Sequence, residues 1–242
     1  MIFSYSRLSL YETCPFRFKK KYVDGYEEIE TLPLALGKGV HKAAEERLQG
    51  AMLEDSLISG FIEANFHPDL QKDEMARLVA KVPVKRLEKR VLEIEKHFQL
   101  PLAQTLNAPI IQGYIDLLTK DGCLYDWKTN RVPYDVTSNH QMGLYAWAVS
   151  QIFGYDTVIA TLSFLRFRKE DKFKYTRREM EISRKWAYDL AIEIDMKVKE
   201  VMIFPKLEMD IFEPNPSSRC GTCPFAIECY YKDQKRSIKQ IQ

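Results

Sequence analysis

Nowhere in this chain do eighteen apolar residues run together, which excludes a simple membrane-spanning helix. The opening "MIFSYSRLSLYETCPFRF" has no continuous apolar core and no small-residue cleavage site, so no secretory signal is expected and the protein reads as cytoplasmic. No internal repeat or low-complexity tract is present, and no linker divides the sequence. A G-x-x-x-x-G-K-[S/T] segment is missing too, which excludes a built-in helicase motor. Charge of one sign is lacking: 36 Lys and Arg face 34 Asp and Glu, so the net +2 points to no particular partner. Cysteine is scarce, five in 242 residues, yet three of them crowd into "CGTCPFAIEC" at 220–229. In a reducing compartment such spacing favours metal over a disulfide.

What is present suffices for a sizeable core, with 45% hydrophobic residues over a domain-length chain. Residues 4–22 read as one helix beginning near Ser6 or Ser9. From Gly37 to about Gln99 the pattern is helical, closing with "VKRLEKRVLEIEKHF", where Leu87, Val91 and Ile94 form one stripe. The period then changes. "IIQGYIDLLTKDGCLYDWKTN" predicts two strands joined by a tight turn at Lys120-Asp121-Gly122. "SNHQMGLYAWAVSQIF" predicts a helix stopping at Gly154, "TVIATLSFLRF" a buried strand, and "KFKYTRREMEI" its partner. A long amphipathic helix follows from Ser183, then a Pro-containing tail that leads to the cysteines. This order predicts an α/β protein with a helical insertion.

Chemistry concentrates in the predicted hairpin. Asp126 and Lys128, two apart on a strand, share a face, and Asp116 lies across a short turn. Paired carboxylates suit a hard divalent cation, and a neighbouring ammonium suits a phosphate or attacking water. On the hairpin alone a solvent-facing edge is an equal alternative. Leu117, Leu118, Leu124 and Tyr125 favour a buried sheet instead.

"GYIDLL" followed by "LYDWKT" resembles the central motif of the PD-(D/E)XK nuclease superfamily, with Asp-Trp-Lys as its acidic-x-Lys core. "LGKGVHKAAEERL" and "QMGLYAW" resemble the first motif and the Gln-x-x-x-Tyr motif of its RecB-like branch. The resemblance implies a restriction-endonuclease-like core, a mixed central sheet flanked by helices. It implies a single nuclease domain over 1–242, with a helical insertion at 42–99 and a C-terminal cysteine segment at 205–242. His41, Asp116, Asp126 and the backbone carbonyl of Trp127 would then hold Mg²⁺ or Mn²⁺, and Lys128 would be the catalytic lysine. Gln141 and Tyr145 would position nucleic acid and the lysine region, and Glu45 would support His41 or reach a second ion. His67, His97 and His140 carry no such expectation, although His140 adjoins Gln141.

The same resemblance supplies a fourth cysteine. Cys14 together with Cys220, Cys223 and Cys229 looks like the iron–sulfur staple of AddB-type nucleases, shared with CRISPR-associated adaptation nucleases. A structural [4Fe–4S] cluster is implied, with zinc as the competing occupant because four thiolates also close a structural zinc site. Cys123 stands apart as a small buried hydrophobe. The function so implied is a metal-dependent DNA nuclease, an exonuclease on single strands or ends. The alternative is a non-catalytic DNA-binding or scaffolding subunit of a repair or CRISPR adaptation complex. Unwinding would fall to a helicase partner. Basic residues interleaved with aromatics, Arg17 to Lys21 among Phe16, Phe18 and Tyr22 and again Arg166 to Arg178 around Phe167, Phe173 and Tyr175, are the expected single-strand path.

Overall fold

Ser4 opens the first helix by accepting the Arg7 backbone N–H on its hydroxyl; the computed structural model describes residues 1–239, with side chains as far as Lys232. In chain order come β1 (Ile2–Ser4), α1 (Tyr5–Thr13), α2 (Pro15–Tyr22), α3 (Leu32–Leu48), α4 (Leu53–Glu63), α5 (Lys72–Val79) and α6 (Val84–Leu87). There follow β2 (Val91–Pro101), β3 (Ile110–Thr119), β4 (Cys123–Lys128), α7 (Gln141–Phe153), β5 (Thr157–Phe164) and β6 (Lys169–Thr176). The chain closes with α8 (Arg177–Ile203), α9 (Glu208–Ile211) and α10 (Ala226–Lys239). The end of the run "KDQKRSIKQIQ", read from sequence as a frayed helix or a partner contact, lies outside the described residues. Among the described residues no helix is long and apolar enough to cross a membrane.

The chain forms two compact units, one of 30–100 with 112–186 and one of 1–29, 101–111 and 187–242. In the former, β3, β4, β5 and β6 lie in that order, with β2 paired to β3. β4 runs parallel to β5, while β3–β4 and β5–β6 are antiparallel, so the sheet is mixed. Cys123, Tyr125 and Trp127 pack with Leu117 into a core shared with α3, α4 and α5, through Val40, Ala44, Leu57 and Met75. Side chains alternate along a strand, so Asp126 and Lys128 point the other way, toward α7. The result is a mixed sheet flanked by helices, as a restriction-endonuclease-like fold requires.

Helices α3 and α4 approach each other at two glycines. A Cβ on Gly60 would sit 2.5 Å from the Gly39 carbonyl oxygen, and one on Gly39 would sit 2.9 Å from that of Gly60. Backbone cannot yield as a side-chain tip can. Gly60→Ala is therefore expected to cost about 1–3 kcal/mol and to lower the melting midpoint by several degrees. An unchanged thermal melt would show that the two helices separate freely.

The other unit is built from distant stretches of sequence. Tyr11 packs edge-on against Phe18 and Phe212, and its hydroxyl donates to Glu193 at 2.5 Å. Lys19 bridges Asp24 and Glu208, and Lys20 reaches Glu228 at 3.0 Å. Arg219 and Asn215 both bond Thr13.

Three local expectations are corrected. Residues 4–22 form two helices, because Cys14 is extended (φ −163°, ψ 103°) and Pro15 restarts the helix at its first position. The stretch read as a closing helix is only α6 and then strand β2. Leu87, Val91 and Ile94 do pack into one core cluster, but pairing with β3 outweighs their helical spacing. Helix α8 begins at Arg177, six residues before Ser183. The missed signal is Thr176-x-x-Glu179, whose Glu179 carboxylate accepts from the Thr176 backbone N–H at 2.9 Å, half of a capping box.

Candidate active site

The β3–β4 turn is fixed at both ends. Gly122 takes φ +75°, a conformation that favours glycine, and its N–H donates to the Thr119 carbonyl at 2.9 Å. The Thr119 hydroxyl both donates to the Cys123 carbonyl and accepts from the Cys123 N–H. The register that results pairs Leu117 with Tyr125 and brings Asp116 level with Asp126. Here a side chain replaces the ladder: the Trp127 N–H donates to Asp116 Oδ2 at 2.6 Å. The carboxylate is thus held inside the sheet by a backbone donor.

Both aspartates are buried, and each has a charged companion. Asp126 Oδ2 lies 2.7 Å from Lys128 Nζ, and Asp126 Oδ1 accepts from Gln141 Nε2 at 3.0 Å. Gln141 Oε1 in turn accepts from Lys128 at 3.0 Å, which closes a triangle. Burial alone would lower the Lys128 pKa, but Asp126 outweighs it and the ammonium is held more firmly protonated than usual. Burial pushes the Asp126 pKa up, opposed by Lys128. Tyr134 stands beside Lys128 and packs edge-on against Phe164. Tyr145, one turn along α7 from Gln141, has its hydroxyl pKa raised by burial and lies edge-on to Phe98 over Gly113.

His41 comes from α3. Its Nδ1 is 3.2 Å from Asp116 Oδ1, and its Nε2 is 2.7 Å from the Trp127 carbonyl oxygen. Burial pulls the imidazole pKa down, but the Asp116 carboxylate outweighs it and the net position is about 9. As imidazolium it donates to both acceptors. Glu95 of β2 completes the group: one ligand atom each from His41, Glu95 and Asp116 lies within 4.8 Å of the others. Donors around one ion at about 2.0–2.2 Å lie at most about 4.4 Å apart, so small rotations would let all three bind it. Glu95 adopts φ +47°, rare for a residue with a side chain, and its pKa rises to about 8, chiefly through burial and then through Asp116.

The sequence-expected residues His41, Asp116, Trp127, Asp126, Lys128, Gln141 and Tyr145 are thus brought together where the end of β4 lies beside the interior of β3. Glu45 lines the same cavity, but it is tied to Lys42 at 2.8 Å and is not in the ligand group. Glu95 was missed because "VLEIEKHF" reads as a helix. Read as a strand, its alternating glutamates would have shared a face with His97. Tyr134 left no signal in the sequence. The cavity here has a volume of about 630 Å³, and His41, Glu95, Lys38, Lys42 and Tyr114 are among its walls.

Most of the expected basic track is otherwise engaged. Lys19 and Lys20 are buried in ion pairs, Arg17 and Lys21 both bind Glu28, and Phe16 and Phe18 are core residues. Arg166 binds the Thr129 carbonyl and Glu74. Lys172 and Arg177 pair with Glu170 and Asp156, although Arg177 and Phe167 stay exposed. His140 stacks on Trp186 at 4.7 Å, with the Ser183 hydroxyl 3.3 Å from its Nδ1.

A family model for the PD-(D/E)XK nuclease superfamily matches residues 2–230, and the chain belongs to that superfamily. Membership implies a hydrolase acting on nucleic acid. Fifteen chains of solved structures match. One, named "Putative exonuclease" and from Eubacterium rectale, is 12% identical with a TM-score of 0.54, covering 92% of this chain and 86% of its own, which supports the shared fold. Another, named SSO0001, is also 12% identical and covers 89% of this chain and 93% of its own, at a TM-score of 0.36. No curated protein matches.

Proposed function

We propose that this chain is a metal-dependent DNA nuclease, an exonuclease on single strands or ends, of the RecB-like branch. The observation that carries this reading is the convergence of His41, Asp116, Glu95, Asp126 and Lys128 where the end of β4 lies beside β3. The donor set of one imidazole and carboxylates fits Mg²⁺ or, because of the imidazole, Mn²⁺. His41, Glu95, Asp116 and Asp126 would hold the ion, with the Trp127 carbonyl within reach. Once bound, the ion supplies Lewis acidity to the phosphate and lowers the pKa of water. Lys128, kept protonated by Asp126, faces the negative charge that develops on the phosphate. Gln141 holds Lys128 and Asp126 in register, and Tyr145, hydrogen-bonded to Gln141, would help position the nucleic acid and the lysine region. A single nuclease domain with a stapled end remains our reading of the chain as a whole.

Four thiols complete the proposal. Cys14, Cys223 and Cys229 pack against one small cluster of Phe16, Met209 and Phe225, and the Arg17 pKa is raised in part by the nearby Cys14 and Cys223. With Cys220 they would hold a structural [4Fe–4S] cluster, with zinc as the competitor. The cluster would close a loop of about two hundred residues.

The test is incubation of anaerobically purified protein with end-labelled single-stranded DNA and Mg²⁺ or Mn²⁺, beside Lys128→Ala and a chelator control. Cutting lost in both controls supports the reading, and the ladder from each end gives polarity. DNA bound but uncut moves the assignment to a scaffolding subunit.

Ion uptake should also be strongly pH-dependent. Binding needs His41 and Glu95 deprotonated, and their positions near 9 and 8 hold protons on both at neutrality. Mn²⁺ uptake at pH 7 is therefore expected to release more than one proton, and affinity should climb until about pH 9. Calorimetry in buffers of different ionisation enthalpy reads this directly. The sign for ion-free stability is opposite. Both pKa values are raised by folding, so the His41 contribution is full below 6.5 and lost through about 9. That of Glu95 is full below 4.5 and lost through about 8. The ion-free protein should melt earlier as pH rises through this window.

A further inference from the structure

We infer that Tyr114 is a platform on which one unpaired base stacks while its phosphate lies at the His41–Glu95–Asp116 group. The inference rests on the nuclease reading above and narrows its substrate. Tyr114 and Asp116 are two apart on β3, so they share a face at a separation of about 7 Å, the reach from a phosphate to its own base. The ring lines the same 630 Å³ cavity as His41 and Glu95. It is 56% exposed in a strand whose next five residues are all buried, so packing does not account for a tyrosine there.

The ring's aromatic neighbour is His97 on the paired strand β2. The two ring centroids are 4.8 Å apart at 42°, a tilted contact, while the tyrosine also lines the cavity. A flat ring with a neighbouring ring beside it and more than half its surface exposed at a cavity suits a base, because every base has a π-face. A base within a duplex is already stacked on both sides and cannot offer one. The platform therefore selects an unpaired nucleotide, in a single strand or at a frayed end. The cavity lysines do not replace it as an anchor: Lys38 is paired with Glu30, and Lys42 with Glu45 and Glu46.

The test walks a single 2-aminopurine, and separately a single abasic residue, along a single-stranded oligonucleotide. One position of 2-aminopurine should be quenched by the wild-type protein and by Tyr114→Phe, and not by Tyr114→Ala. Tyr114→Ala should raise KM about 5- to 150-fold, the range expected for one base–aromatic stack, with kcat within a few-fold and Mn²⁺ affinity by calorimetry unchanged. An abasic residue at the quenched position should erase the difference between wild type and Tyr114→Ala. If wild type cuts DNA and Tyr114→Ala changes neither KM nor quenching, the platform is rejected and the nuclease reading stands. If no protein cuts DNA yet quenching depends on Tyr114, the nuclease reading fails and the platform stands.

Discussion

Asp116→Asn is expected to lower DNA cleavage roughly 10³-fold or more and to abolish tight Mn²⁺ uptake while leaving the fold intact. The side-chain amide keeps its carbonyl oxygen, so it still accepts the Trp127 N–H that Asp116 Oδ2 accepts at 2.6 Å. What disappears is the charge. His41 loses the carboxylate 3.2 Å from its Nδ1, the main cause of its raised pKa, and should titrate well below 9. Glu95 loses its strongest like-charge neighbour and should ionise more easily. A melt in chelator at pH 9 should therefore show Asp116→Asn no less stable than wild type, although it is inactive. Near-wild-type cutting would remove Asp116 from the chemistry. Inactivity with a collapsed melt would mean that its role is architectural.

Cys223→Ser should strip iron and sulfide from the anaerobically purified protein. It should also destabilise the unit of 1–29, 101–111 and 187–242 by roughly 5 kcal/mol, the scale for removing a cross-link over so long a loop. Cys14→Ser should behave alike, because both side chains pack on the Phe16–Met209–Phe225 cluster. Cys123→Ala is the control: it is buried beside Thr119 in the β3–β4 turn and should leave metal content unchanged. Iron retained in Cys223→Ser rejects the assignment, and one equivalent of zinc in wild type in place of iron replaces it. Limited proteolysis should find the new cleavage sites outside 30–100 and 112–186.

The site was legible wherever local rules and chemistry agree. The hairpin followed from an Asp-Gly turn between β-rich runs, and with it came the level of Asp116 against Asp126 and the shared face of Asp126 and Lys128. Helix α7 and its stop followed from Gly154, which takes φ +75°. Glu95 was hidden because strand β2 carries apolar residues at spacings of three and four, which suit a helix as well. Only a partner strand decides between the two. The basic track misled for a related reason. Sequence shows that Lys19 and Lys20 are cationic, but not that Glu208 and Glu228, about two hundred residues away, neutralise them. Long-range pairing of this kind has no local signature.

Those distant partners have a consequence during synthesis. Residues 30–186 leave the ribosome with β2 through β6 and α3 through α7 already complete. Helices α1 and α2, made before the sheet, must wait until the chain from Glu208 onward emerges before Lys19 meets Glu208, Lys20 meets Glu228, and Phe16 meets Met209 and Phe225. While the sheet is being made and folded, these two helices therefore stay less finished than the segments that follow them. Nascent chains stalled before Glu208 should expose α1 and α2 to protease or chaperone, while the sheet that carries Asp116 and Lys128 is already protected.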